Sequence, residues 1–164
     1  MKQGTVSVLF GCHSQIHSMF VVLAWIKLYH RLPNWWQLSC ILIHDIGHWG
    51  KNYLDDIEVK QQHWILGATI ARKLFGEKGW LFVAGHDRYS GYPESELLKP
   101  DKYSWIIAPR LWIVTNLLFE PKMRQNGMGR WEHADYFKKE VKRNIESGDY
   151  ASAHDIYMRQ DNAN

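Results

Sequence analysis

Apolar residues in this chain recur every three or four positions, and almost no segment alternates apolar with polar at a period of two. That rhythm commits the backbone to helices, because a helix brings positions three and four apart onto one face. Between Ser14 and His30, Ile16, Phe20 and Leu23 share helical spacing, and so do Val21, Ala24 and Leu28. Pro33 breaks this stretch, and Asn34 offers an N-cap for a second helix from Trp35 to Asp45. Gly47 and Gly50 then mark irregular backbone. Helices are predicted from Glu58 to Phe75, stopped by Gly76, and from Lys78 to His86, followed by the turn-rich loop DRYSGYPES. Asp101 to Phe119 reads as a helical stretch interrupted near Pro109. A polar amphipathic helix from Glu132 to Glu146 follows, with weak helix after Asp149. The expected fold is all-α, a compact bundle of about five core helices plus a C-terminal helix.

A chain of 164 residues fits one domain and buries a sizeable core. We expect a main unit over 1–125 and a helical extension over 126–164 packing on the same domain. With 46% hydrophobic and 23% charged residues, disordered and fibrous classes are excluded. The longest apolar run, Met19 to Ile26, has eight residues, far short of the roughly 20 that a membrane span requires. No leader is expected at the N-terminus. Two cysteines, Cys12 and Cys40, define no disulfide framework and suggest a reducing compartment, so cytoplasm is expected. A net charge of +3 suits phosphate-bearing partners without demanding nucleic acid.

Chemistry concentrates at LIHDIGH, where an apolar helix runs into His44-Asp45. An imidazole beside a carboxylate at the edge of a core suits a divalent ion such as manganese or iron, with zinc, nickel or magnesium as alternatives. Adjacent helical residues diverge, so both reach one ion only where the helix end is shaped to converge them. Four further residues accompany the pair: His17 on the preceding helix, His63 in HWILGATIA, His86 in LFVAGHDR and Asp101 in DKYSWIIA. In this order the chain resembles the HD-domain metal-dependent phosphohydrolase superfamily, over roughly Cys12 to Pro121.

The resemblance implies an HD-domain helical bundle with His17, His44, Asp45 and Asp101 as metal ligands. It also implies His63 and His86 as the extra ligands of a binuclear site, with Asp45 bridging one or two divalent ions. His13, one turn before His17, is a rival first ligand. His63 also reads as an ordinary helix-start histidine and Asp101 as an N-cap. The loop HDRYSGYP shares only its first His and GYP with the HD-GYP phosphodiesterase signature, with Asp87 where that signature has a second His. We read GYP as a turn.

The implied activity is hydrolysis of phosphoester or phosphoanhydride bonds by metal-activated water. Lys51, Arg88 and Lys102 are candidates to neutralise phosphoryl oxygens, and His48 to protonate the leaving group or bind phosphate. Asp55, Asp56 or Glu58 could orient a ligand histidine. Trp49, Trp64 and Trp105 could wall the pocket, and His30, His133 and His154 read as surface residues. The expected substrate is a small phosphate-bearing molecule of nucleotide type, with nucleic acid less favoured and no membrane partner. A homodimer could form through a face of the fourth helix or through the Trp-rich helices. A nucleic-acid-processing module and a non-catalytic HD sensor are the rival readings.

Overall fold

The computed structural model describes residues 1–52, 57–119 and 128–150, the side chains of 57–60 excepted. The described residues form eight α-helices and contain no strand, so the chain is all-α. These are α1 (Gln3–Phe10), α2 (Gln15–Tyr29), α3 (Trp35–Ile43), α4 (Ile57–Phe75), α5 (Glu77–Ala84), α6 (Leu98–Ile107), α7 (Arg110–Phe119) and α8 (Arg130–Glu146). Short 3₁₀ turns at Ile46–His48 and Arg88–Ser90 follow α3 and α5. No single helix among the described residues is long and apolar enough to cross a membrane.

Helix α2 serves two cores at once. Val21 and Trp25 pack with Cys40 and Ile41 of α3, Trp64 and Ala68 of α4, and Phe82 and Val83 of α5. Phe20 instead packs with Ile113 of α7 and Ala134, Phe137 and Val141 of α8. Each fully buried large apolar side chain contributes roughly 1.5–3 kcal/mol, so both cores fix the direction of α2. At the start of α3, the Gln37 side chain accepts the Asn34 N–H at 2.9 Å, as an N-terminal cap should. The helix α8 buries the stripe Ala134, Phe137, Val141, and with it His133, which is only 1% exposed. This corrects the expectation of a surface histidine there: His133 lies beside Ala134 on the packed edge of the helix. His30 is exposed, as expected.

Two further differences from the expected elements have local causes. Helix α1 was not foreseen, because QGTVSVLF is rich in poor helix formers. Tertiary contact holds it: the Gly4 N–H donates to the Lys51 carbonyl at 3.0 Å, and the Gly50 N–H to Thr5 Oγ1 at 3.2 Å. Helix α6 begins at Leu98, three residues before Asp101, with Pro100 inside its first turn, where a missing N–H costs nothing. Asp101 is therefore a helix residue and not an N-cap. Ala108 and Pro109 separate α6 from α7 at the expected interruption. The boundary at 125, the segment after Tyr150 and His154 lie outside the described residues.

Candidate metal centre

The first requirement is that His44 and Asp45 converge. Helix α3 ends at Ile43, His44 is its C-cap, and Asp45 leaves the helical region with φ −94° and ψ 5°. The chain then tightens into the 3₁₀ turn Ile46–His48. This break cancels the roughly 100° divergence that neighbours have on a helix. Close backbone packing keeps α4 against the turn. A Cβ on Gly47 would lie 1.6 Å from the His63 carbonyl oxygen, and one on Gly67 2.6 Å from that of Ile43. Gly67 costs α4 about 1 kcal/mol relative to alanine. In exchange the helix bearing His63 lies directly on the His44-Asp45 turn.

Two groups of ligand atoms result, joined by one carboxylate. Asp45 Oδ2 lies 3.2 Å from His44 Nε2 and 3.6 Å from His17 Nε2. Asp101 Oδ1 completes that side, 2.9 Å from His17 Nε2 and 3.5 Å from His44 Nε2. The other oxygen, Asp45 Oδ1, lies 3.6 Å from His63 Nε2 and 3.8 Å from His86 Nε2. Atoms each bonded at about 2.1 Å to one ion stand about 3.0–3.5 Å apart, and the separations here, from 2.9 to 3.8 Å, overlap that range, so these groups could hold an ion. All six residues named from the sequence as ligands are thus brought together. His17 stands in one ligand group with His44 and Asp101, whereas His13, close enough to Asp45 to lower its pKa, bonds Ser7 Oγ at 2.7 Å and stacks on His48, with ring centres 3.7 Å apart.

Hydrogen bonds fix which ring nitrogens face inward. His44 Nδ1 donates to the Ile41 carbonyl at 2.7 Å, and His86 Nδ1 to the Val83 carbonyl. His63 Nδ1 faces the carboxylate of Asp87 at 3.3 Å. The Nδ1 protons of His44 and His86 are thereby used, leaving their Nε2 lone pairs directed at the centre, and His63 Nδ1 faces a carboxylate at ion-pair distance. His44 Nε2 is buried and makes no hydrogen bond. His63 and His86 approach Nε2 to Nε2 at 3.2 Å, a contact that needs a cation or an extra proton between two lone pairs. Nitrogen and carboxylate donors around such points fit a divalent first-row ion.

Electrostatics agree. Burial opposes the charged form of His44, yet the carboxylates of Asp45 and Asp101 push its pKa up to about 10. Burial likewise opposes ionisation of Asp45, but His44 and His13 hold it well below the ordinary carboxylate range. Asp101 is lowered too, against its burial, by Lys102 and His17. Two ionised carboxylates away from water demand compensating positive charge. Lys102, at 2.7 Å from Asp101 Oδ2, supplies one such charge.

Of the proposed substrate-handling residues, Lys102 and His48 stand at this centre. Lys102 Nζ is 2.7 Å from Asp101 Oδ2, and its pKa is raised despite burial, chiefly by Asp101. His48 is buried and stacked on His63 at 4.8 Å, and it offers a ring nitrogen within 4.8 Å of ligand atoms of Asp45 and His63. Arg88 pairs instead with Asp149, on a half-exposed side chain. The Lys51 backbone is engaged by Gly4, and its ammonium forms no ion pair with the cluster among the described residues.

The carboxylate facing a ligand histidine is Asp87, which sequence reasoning did not assign to that task. Asp55 and Asp56 and the side chain of Glu58 lie outside the described residues. Trp105 stacks on His17 with ring centres 5.2 Å apart, whereas Trp64 packs in the core and Trp49 is exposed. Gly91, at φ +72°, closes the second 3₁₀ segment, and GYP continues as irregular backbone with a bend at Tyr92. No protein-family model, curated protein or solved structure matches this chain.

Proposed function

We propose that this chain is a metal-dependent phosphohydrolase of the HD type, acting on a small nucleotide-type substrate. The observation that carries the reading is the division of Asp45, one oxygen toward His17 and His44 and the other toward His63 and His86. His17, His44, Asp45 and Asp101 would hold one divalent ion, and Asp45, His63 and His86 a second, manganese or iron being the preferred metals. Bound there, such ions supply an activated water and polarise a phosphoryl oxygen.

The chain's own residues supply the rest. Lys102, fixed against Asp101, places a positive charge where phosphoryl oxygens gain negative charge. His48, stacked on His63, would hand a proton to the departing oxygen. The mild positive charge of the chain suits an anionic substrate. The buried cysteines Cys12 and Cys40 form no disulfide among the described residues, which accords with a reducing compartment, and we place the protein in the cytoplasm.

The test is phosphate release from nucleoside mono- and triphosphates in the presence of manganese or ferrous iron. Asp45→Asn withdraws charge from both ligand groups and should lower turnover by at least about a hundredfold. Equal turnover in that variant, or no hydrolysis with either metal, would overturn the reading.

A further inference from the structure

Two apolar seams run along the outside of α2 and α3. On α2, Ile16, Met19, Leu23 and Ile26 are 37–51% exposed, although the side chains behind them fill both cores. On α3, Leu38 and Leu42 are 38% and 44% exposed, and Trp35 is 72% exposed. The steps along each seam alternate between three and four residues, the spacing of the a and d positions of a heptad. Such a seam ordinarily faces another helix, and no helix among the described residues buries either one.

The two seams form one face. Gln15 Nε2 donates to the Leu42 carbonyl at 3.0 Å and Ser18 Oγ to that of Ile41 at 3.2 Å, so the start of α2 lies beside the end of α3. No Asp, Glu, Lys or Arg stands on α3, and α2 carries only Lys27, outside the seam. The exposures correspond to about 700 Å² of apolar surface, more than the roughly 300–600 Å² of the largest patch on a typical monomer. Two such faces pressed together bury about 1,400 Å², within the roughly 1,200–2,000 Å² of a stable interface. A membrane surface suits the face less well. Helices that lie in one carry several Lys and Arg beside the apolar stripe, and these two helices have a single Lys.

We infer that this face binds a second copy of the chain, α2 and α3 of each copy forming a four-helix bundle about a twofold axis. A twofold contact sets a patch against itself, and this patch bears no charge that would repel its copy. Heptad seams also match the shallow crossing of about 20° found in such bundles. His17 and His44 belong to the same stretch of chain but are buried on its inner side, so the contact leaves the ligand cluster intact. The inference stands independently of the phosphohydrolase reading.

Sedimentation velocity from micromolar to near-millimolar concentration tests it. The expected species has twice the 19.4 kDa mass of one chain and dissociates on dilution. Leu23→Glu and Leu42→Glu each set a charge against its own copy and should raise the dissociation constant at least about a hundredfold. Leu111→Glu, at a 61% exposed position on α7, should leave it within about twofold. Circular dichroism identifies folded variants. Hydrogen exchange of the parent protein needs no substitution, and protection should rise with concentration in α2 and α3 more than in α7. A parent protein that stays monomeric throughout, a dimer unchanged in a folded face variant, or protection independent of concentration overturns the inference. So does a monomer that co-sediments with phosphatidylcholine–phosphatidylserine vesicles, which would assign the face to a membrane.

Discussion

Asp87 follows His86 in the chain but faces His63, with its other oxygen accepting the Tyr89 N–H at 2.9 Å. Sequence reasoning looked for such an orienting carboxylate among Asp55, Asp56 and Glu58, which are nearer His63 along the chain. It missed Asp87 because side-chain direction there depends on the 3₁₀ turn after α5, which has no periodic signature. The convergence of His17, His44, Asp45, His63, His86 and Asp101 was more legible, because the resemblance in motif order already set these six apart. Replacing Asp87 by Asn keeps the shape and removes the charge behind His63. We expect metal affinity at the His63 side to fall 10- to 100-fold, the usual effect of losing such a partner. Competitive titration with a chelating dye measures this, and affinity at the His17 side should stay unchanged. Equal loss at both sides would count against an orienting role for Asp87.

At the scale of elements, periodicity revealed α2 to α5 and α8, and the proline marked the break between α6 and α7. It missed α1, whose residues are poor helix formers held by contacts with the 44–51 turn. The glycines were legible as breaks only. Their structural task is close approach, because Gly47 and Gly67 let α4 lie on the turn that carries His44 and Asp45. Gly47→Ala would force a methyl group into the His63 carbonyl and push α4 away. The expected cost is about 1–3 kcal/mol or more, read as a lowered Tm. Metal held on the His63 side should be lost at the same time. A Gly47→Ala protein with unchanged Tm and unchanged metal binding would show that α4 adjusts freely.

Across the whole molecule, the ligand cluster sits where the two cores meet. His17 precedes Phe20 of one core and Val21 of the other on the same helix, while His44 follows Ile41 and His86 follows Ala84. Folding either core alone would leave the cluster incomplete, so the charges at the centre assemble only in the finished molecule. This long-range convergence was inferred from the sequence through motif order, since helical spacing alone does not say which helices meet. A bound ion should in turn stabilise the fold, by about 2.7 kcal/mol at a free concentration 100 times its Kd. The central claim is a cation site built on Asp45, and elemental analysis after loading with manganese or iron tests it most directly. The account predicts about two ions per chain, and about one in either His63→Ala or His44→Ala, because each removes a ligand of one ion only. No bound metal in the parent protein, or full occupancy retained in His44→Ala, would contradict it.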